Sequence, residues 1–443
     1  MTRTTYAALV GSLLLGATVA TAQTQPAQTT PAQDEGRPIT MQHFRPNDQR
    51  GVNVFESPKE PGVEYTGFKL DIGAAFASQL QSLDHENTAL PKVVNGVDAN
   101  ALANIGTGFN NSTANLYLNA QLARGIRVQL TSYLSSRHHN ETWVKDGYLL
   151  VDELPIDIPA LNTLMKYATI RAGHFEINYG DAHFRRSDNG MAVYNPFVGN
   201  YILDAFTTEI GAEVYLRSRG LIVMGAVTGG EIRGTVLAPE QRSPSFIGKL
   251  GFDRQVNPAL RVRLTGSMYT TDKSSSNTLY GGDRAGSRYY FVLENTAATE
   301  TAQKSSGLID PGFKSKVTAG QINPFVKYRG LELFGVIEHA TGRAATETVE
   351  RDWNQYALDT VYRFAPREQG FVGLRYNKAT GRLAGMASDV GARRWEVGGG
   401  WFMTRNILMK AEYVQQKYLD YPPTDIKSGG VFRGAMLEGV IAF

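Results

Sequence analysis

The 443 residues contain no cysteine, which excludes disulfides, a thiolate nucleophile and thiolate metal sites. Net charge is also nearly absent: 45 Lys and Arg stand against 42 Asp and Glu, a formal +3 that drops by one if Arg3 is lost with a leader. Composition therefore gives no argument for nucleic acid or an acidic partner. Long apolar runs are missing beyond residue 22. The longest, Leu221 to Val227, is interrupted by Gly225 and is far shorter than the ~18 residues of a membrane helix. The seven histidines form no H-E-x-x-H or similar ligand spacing, so no metal or cofactor is expected.

What is present begins with an export signal. Arg3 supplies a positive start, Ala7 to Val19 an apolar stretch, and Ala20-Thr21-Ala22 a small-x-small cleavage site, so residues 1–22 are expected to be removed and the mature chain to begin at Gln23. Residues 23–62, "QTQPAQTTPAQDEG" running into "MQHFRPNDQRG", are rich in Gln, Thr, Pro and Asp; they are expected to form a flexible periplasmic segment. No composition shift divides residues 63–443. One large architecture is favoured.

That remainder alternates. In "FKLDIGAAFASQL" Phe68, Leu70, Ile72, Ala74 and Phe76 share one face and Lys69, Asp71, Gly73 and Ala75 the other, the period of a half-apolar strand. "NLYLNAQLARGIRVQLTSYL" does the same on both sides of Arg124-Gly125 and reads as a hairpin. Further short turns fall at Ser218-Arg219-Gly220, Asn257-Pro258, Arg329-Gly330, Pro366 to Gly370 and Thr404-Arg405-Asn406. Strands are expected near 68–80, 114–122, 126–136, 142–153, 168–177, 207–217, 221–229, 244–253, 260–269, 317–328, 331–340, 353–364, 370–377, 392–403, 407–416 and 431–443. The stretch 142–153 reads ambiguously, with a helical piece expected over Ala160 to Lys166 after it. "SRYYFVL", Ser287 to Leu293, is assigned to a long loop, 270–316, as an excursion above the membrane.

A soluble β-sandwich would alternate too, and the faces decide between the two. Near the short turns the apolar face carries Phe252, Tyr328, Tyr362, Trp401 and Phe443, and near its other end Tyr356, Tyr376, Trp395 and Tyr413; rings at both ends of an apolar band suit two membrane interfaces. The opposite face is so charged that it must be wet. The fold class is an all-β, transmembrane antiparallel barrel of about sixteen strands, with short periplasmic turns and long extracellular loops, in the outer membrane and in contact with its lipid.

Function is expected in a water-filled lumen passing ions and small hydrophilic solutes. Loop 178–206, with Asp181, Arg185, Arg186 and Asp188, would narrow the pore if folded inward. Inward Lys69, Arg127, Arg171, Arg217, Lys249, Arg261, Arg263, Lys327, Arg363, Arg375, Arg394 and Lys410 outnumber Asp71, Glu213, Asp253, Glu332, Glu338, Asp359, Glu396, Glu412 and Glu438, which gives a mild anion preference. The candidate pore residues are thus Arg171, Asp181, Arg185, Arg186, Asp188, Arg217, Arg261, Arg263, Lys327, Arg363 and Arg375. Two other readings stay open. One is a barrel that is plugged or whose loops bind a partner; the other is a lipid hydrolase using His183, Ser187 and Asn189, of which an extended chain would hold His183 and Ser187 ~13 Å apart.

"IRAGHFEINYGDAHFRRS", Ile170 to Ser187, resembles the strand-to-loop stretch of phosphate-selective (porin O/P type) Gram-negative porins. Gly173, Phe175 and Gly180 match, while Glu176, Ile177 and Asn178 stand where that type has a lysine and a proline. The resemblance implies a sixteen-stranded homotrimer passing small hydrophilic solutes. The closing strand "GAMLEGVIAF", with Phe443 last, looks like the signal read by the outer-membrane assembly machinery.

Overall fold

The computed structural model describes residues 44–57, 65–136, 142–154, 156, 158–234, 236–281, 287–302 and 305–443. The chain divides into two units, Met1–Pro38 and Ile39–Phe443. The expected signal peptide lies outside the described residues, as do His43, His138, His139 and most of "YGGDRAG".

Alternation becomes sixteen wall strands: β1 (Lys69–Glu86), β2 (Thr113–Ala123), β3 (Ile126–Ser135), β4 (Trp143–Val151), β5 (Ala168–Glu176), β6 (Thr208–Ser218), β7 (Leu221–Thr228), β8 (Ser245–Asn257), β9 (Leu260–Thr271), β10 (Lys316–Tyr328), β11 (Leu331–Arg343), β12 (Arg351–Phe364), β13 (Gly370–Gly381), β14 (Val390–Thr404), β15 (Ile407–Leu419) and β16 (Val431–Ala442). Each pairs antiparallel with the next, and β1 closes on β16 with Ala75 opposite Ala442 and Glu86 opposite Val431. Closure leaves no free edge, as an apolar solvent requires. The ambiguous stretch at 142–153 is a true wall strand. The helical piece is a short helix, α1 (Pro159–Met165), in the β4–β5 connection.

The short turns follow from local chemistry. Arg219 and Gly220 both take positive φ, 50° and 90°, the conformation that matches strand twist in a two-residue hairpin. A Cβ on Gly220 would also meet the Asp253 carbonyl at 2.6 Å. Outward side chains are apolar and exposed: Leu70, Ile72 and Phe76 on β1, Leu358 on β12, Val397 on β14 and Leu437 on β16. Tyr362, Trp401 and Phe443 lie toward the short-turn end of this face, and Tyr356, Trp395 and Tyr413 toward the long-loop end. These are the two aromatic belts of a membrane barrel.

The interior differs from the wet lumen expected above. Loop 177–207 folds inside and is almost wholly buried. Part of loop 272–315, including Ser287 to Leu293, also enters the lumen: Leu279, Tyr280, Tyr289, Val292, Leu293, Ile309 and Phe313 join Ile202 and Leu203 of the first loop in one apolar core with Trp353 and Ala379 of the wall. Residues 44–57 are the third filling element. They are no loose periplasmic leader: Phe55 is buried against Phe184 and Phe325, and Asn53 donates to Glu332 at 2.5 Å. A sixteen-stranded barrel is wide enough to need such filling if it is not to leave a broad pore.

Candidate functional site

Space remains along one wall. A cavity of about 220 Å³ runs against the inner faces of β2 to β6, lined by Tyr117, Asn119, Lys145, Asp146, Tyr148, Arg171 and Glu213 on the wall and by Arg45, Arg186 and Asp188 opposite. It abuts a second cavity of about 590 Å³ at the level of the short turns, and both are bordered by Phe44, Phe55, Glu56, Ser57, Thr169 and Arg217. Together they form a lane that runs on the β2–β6 side and continues to β9 at the level of the short turns. Loops 177–207 and 272–315 occupy much of the remaining lumen.

The candidate residues separate into lane and anchor. Arg171 on β5 places Nε 2.6 Å from Glu213 Oε1 and stacks its guanidinium 4.5 Å from the Phe175 ring centre. Arg186 grips Asp204 through two bonds of 2.9 and 2.6 Å and reaches Asp188 at 3.1 Å. Asp188 also takes Lys145 at 2.7 Å and the Tyr133 hydroxyl. Arg217 donates to the Ser57 carbonyl at 2.7 Å. Arg261 and Arg263 border the second cavity, where Arg261 pairs with Asp253. Lys327 and Arg363 border a separate cavity of about 430 Å³ beside the β12–β13 and β14–β15 turns.

Asp181, Arg185 and Arg375 border none of these spaces and serve as anchors. Asp181 is fully buried between Arg263, which meets both its oxygens at 2.8 Å, and Lys249 at 2.6 Å, with Thr265 donating at 2.7 Å. Burial alone would raise its pKa, but the two cations hold it below the usual carboxylate range. Glu56 completes the clamp, 3.0 Å from Lys249 and 2.8 Å from Arg263, and against the same burial is held well below its usual value. Arg185 bonds Asn53 and lies 3.6 Å from Glu332; Arg375 grips Asp359 at 2.7 and 2.9 Å and the Gly199 carbonyl at 2.9 Å. These contacts fix the loop and residues 44–57 to the wall.

The pairing of His183 with Ser187 does not form. His183 uses Nδ1 on Glu176 at 2.6 Å and Nε2 on Asn178 at 3.0 Å, while Ser187 is buried under Asn195 and Asn200. Burial lowers the His183 pKa despite Glu176 beside it. The matching glycines have local reasons: Gly173 (φ 133°) has the Gly147 carbonyl 2.6 Å from any Cβ, and Gly180 (φ 70°) has the Gln321 side chain there.

The lane also holds residues that reading the sequence missed. Lys145 and Asp146 both face it, though neighbours in a strand should face opposite ways. Arg45, from the presumed leader, stacks 3.4 Å over Tyr194 and donates to the Gly51 and Phe184 carbonyls. The one available signal was the broken alternation in "TWVKDGYLL".

No family model matches the chain, and no curated protein matches it in sequence. Among solved structures it is similar to an anion-selective porin from Comamonas acidovorans (12% identity, TM-score 0.50, covering 85% of this chain and 100% of that one). It is similar as well to OprB of Pseudomonas putida (12% identity, TM-score 0.50, 85% and 94%). At this identity the likeness concerns the fold, which is that of bacterial outer-membrane barrels.

Proposed function

We propose that the chain is an outer-membrane channel for passive diffusion of ions and small hydrophilic solutes, conducting along the β2–β6 lane with no covalent chemistry of its own. The observation that carries this reading is the pair of abutting, charge-lined cavities inside a wall whose outer face is apolar. Fixed charges and dipoles there replace hydration that hydrocarbon cannot supply. A homotrimer, as the resemblance to porins implies, belongs to the same proposal.

Ion preference follows from the lane and not from the whole inward face. Much of the basic excess is spent in anchors such as Arg363 with Glu332, Arg375 with Asp359 and Lys410 with Glu438. The first cavity is bordered by five basic and five acidic side chains, so any anion preference is small. Clear cation selectivity in a salt gradient would remove it. The phosphate preference of the porin O/P type has no lysine in this stretch to rest on, because Glu176, Ile177 and Asn178 stand where that type has a lysine and a proline.

A plugged, structural or adhesive barrel is the second reading, favoured by the inward packing of loops 177–207 and 272–315. Planar-bilayer recording separates the two. A channel conducts, and Arg186→Ala, which opens the lane wall, raises single-channel conductance. Silence from properly folded protein refutes the channel.

A further inference from the structure

Within β4 the two-residue alternation breaks at Lys145. Thr131 of β3 stands opposite Asp146, and the next residue, Ser132, opposite Val144, so Lys145 is the extra residue of a β-bulge. Val144 therefore faces outward, while Lys145 and Asp146 both face the lane. The bulge re-aims two charged side chains into one space.

Their situations are unlike. Lys145 is committed to Glu176 at 2.5 Å and Asp188 at 2.7 Å, and stays 4.0 Å from Asp146 Oδ2. Asp146 is only 4% exposed; Thr131 beside it gives the carboxylate one side-chain hydrogen bond, and Oδ1 accepts none. Asn119, 6% exposed and bordering the same cavity, likewise has no donor for Oδ1. Nearby donors are already used within the wall: Tyr148 Oη donates to Gln129 Oε1 at 2.6 Å, and Gln129 Nε2 to Thr131 Oγ1 at 3.4 Å. Two side chains that border the lane thus each keep one oxygen without a donor, and one of the two is a carboxylate. A buried carboxylate is costly unless something charged and donating meets it.

The geometry points to a solute subsite in which Asp146 takes the ammonium end of a small amine and Asn119, two strands away across β3, accepts from a donor at the solute's other end, with the Tyr117 and Tyr148 rings of the same cavity beside its carbon chain. The inference rests on the channel reading for how a solute arrives, and on the wall alone for how it is held.

The test is calorimetric titration of the detergent-solubilised full chain with diaminobutane, with tetramethylammonium as a cation lacking N–H donors and glycerol as a neutral donor. Charge-assisted hydrogen bonds of ordinary strength predict that diaminobutane binds about tenfold or more tightly than either control. Asp146→Asn should weaken it about tenfold, and Asn119→Ala by less, with the folded barrel's gel mobility kept. Diaminobutane should block single-channel current in the same order. Equal affinity for diaminobutane and tetramethylammonium in the parent overturns the subsite, as does a folded Asp146→Asn protein that binds like the parent. If Asp146→Asn fails to fold, Asn119→Ala and the solute series on the parent decide. Asp146-dependent binding without conductance keeps the subsite and refutes the channel; conductance without such binding does the reverse.

Discussion

Replacing Asp181 by Ala tests how the lumen is held. This carboxylate meets Arg263 through two bonds, Lys249 through a third and Thr265 through a fourth, all out of water. Removing it leaves two buried cations with Glu56 and, for Arg263, Asp253 at 3.1 Å as remaining counter-charges. Breaking a buried pair from one side costs about 3–5 kcal/mol. The wall itself has hundreds of ångströms of hydrogen-bonded seam and stays closed, so the loss falls on the docking of loop 177–207 and residues 44–57. A change of that size lowers the docked-to-undocked ratio by roughly two to four orders of magnitude. Single-channel recording should show a larger, noisier conductance, and limited proteolysis should cut residues 44–57 faster. Asp181→Asn, which keeps the volume and some hydrogen bonds, should fall between. An Asp181→Ala protein with the parent's conductance, noise and protease protection would refute the reasoning.

Two further predictions follow from the same structure. Asp181 and Glu56 both titrate below their ordinary values, so the clamp's stability is full above about pH 4.5 and is lost as pH falls through the lower, native values. Protease protection of residues 44–57 should therefore hold steady from pH 7.5 to 5 and fall only in stronger acid; loss of protection between pH 6 and 7 would contradict this. Phe443→Ala removes a half-exposed ring at the short-turn belt while leaving the paired backbone of Phe443 and Ala74 intact. It should reduce the amount of barrel assembled in the outer membrane and leave the conductance of assembled molecules unchanged, which surface labelling and bilayer recording would check together.

The wall was legible because each strand is solvated by hydrocarbon on one face and by protein or water on the other, so alternation such as Leu70, Ile72, Phe76 against Lys69, Asp71 survives in the sequence. The filling of the lumen was not. Loop 177–207 is as polar as a solvated loop, but its charges find partners on distant strands: Asp181 on β8 and β9, Arg185 on β11, and the Val198 amide on Glu412 of β15. Nothing local marks such partners. Tyr280 and Tyr289 are similar, since hydroxyls reaching Glu338, Glu396 and Glu412 make an apolar core inside a charged tube. The lane's most informative pair, Lys145 and Asp146, was hidden by the bulge that creates it. One extra residue inverts the faces of the strand, and a strict period of two reads that as noise.

The seam between β1 and β16 joins residues separated by most of the chain, with Ala75 opposite Ala442. Joining such distant segments carries the largest loop-closure entropy of any pairing in the wall, whereas each neighbouring hairpin needs only a local turn. The hairpins therefore form first, and this seam is the final one to zip. Phe55, Tyr201 and Phe325 sit together within the tube, so the closed wall surrounds segments of its own chain. Folding of this molecule is thus an act of enclosure, in which cargo and container are the same polypeptide.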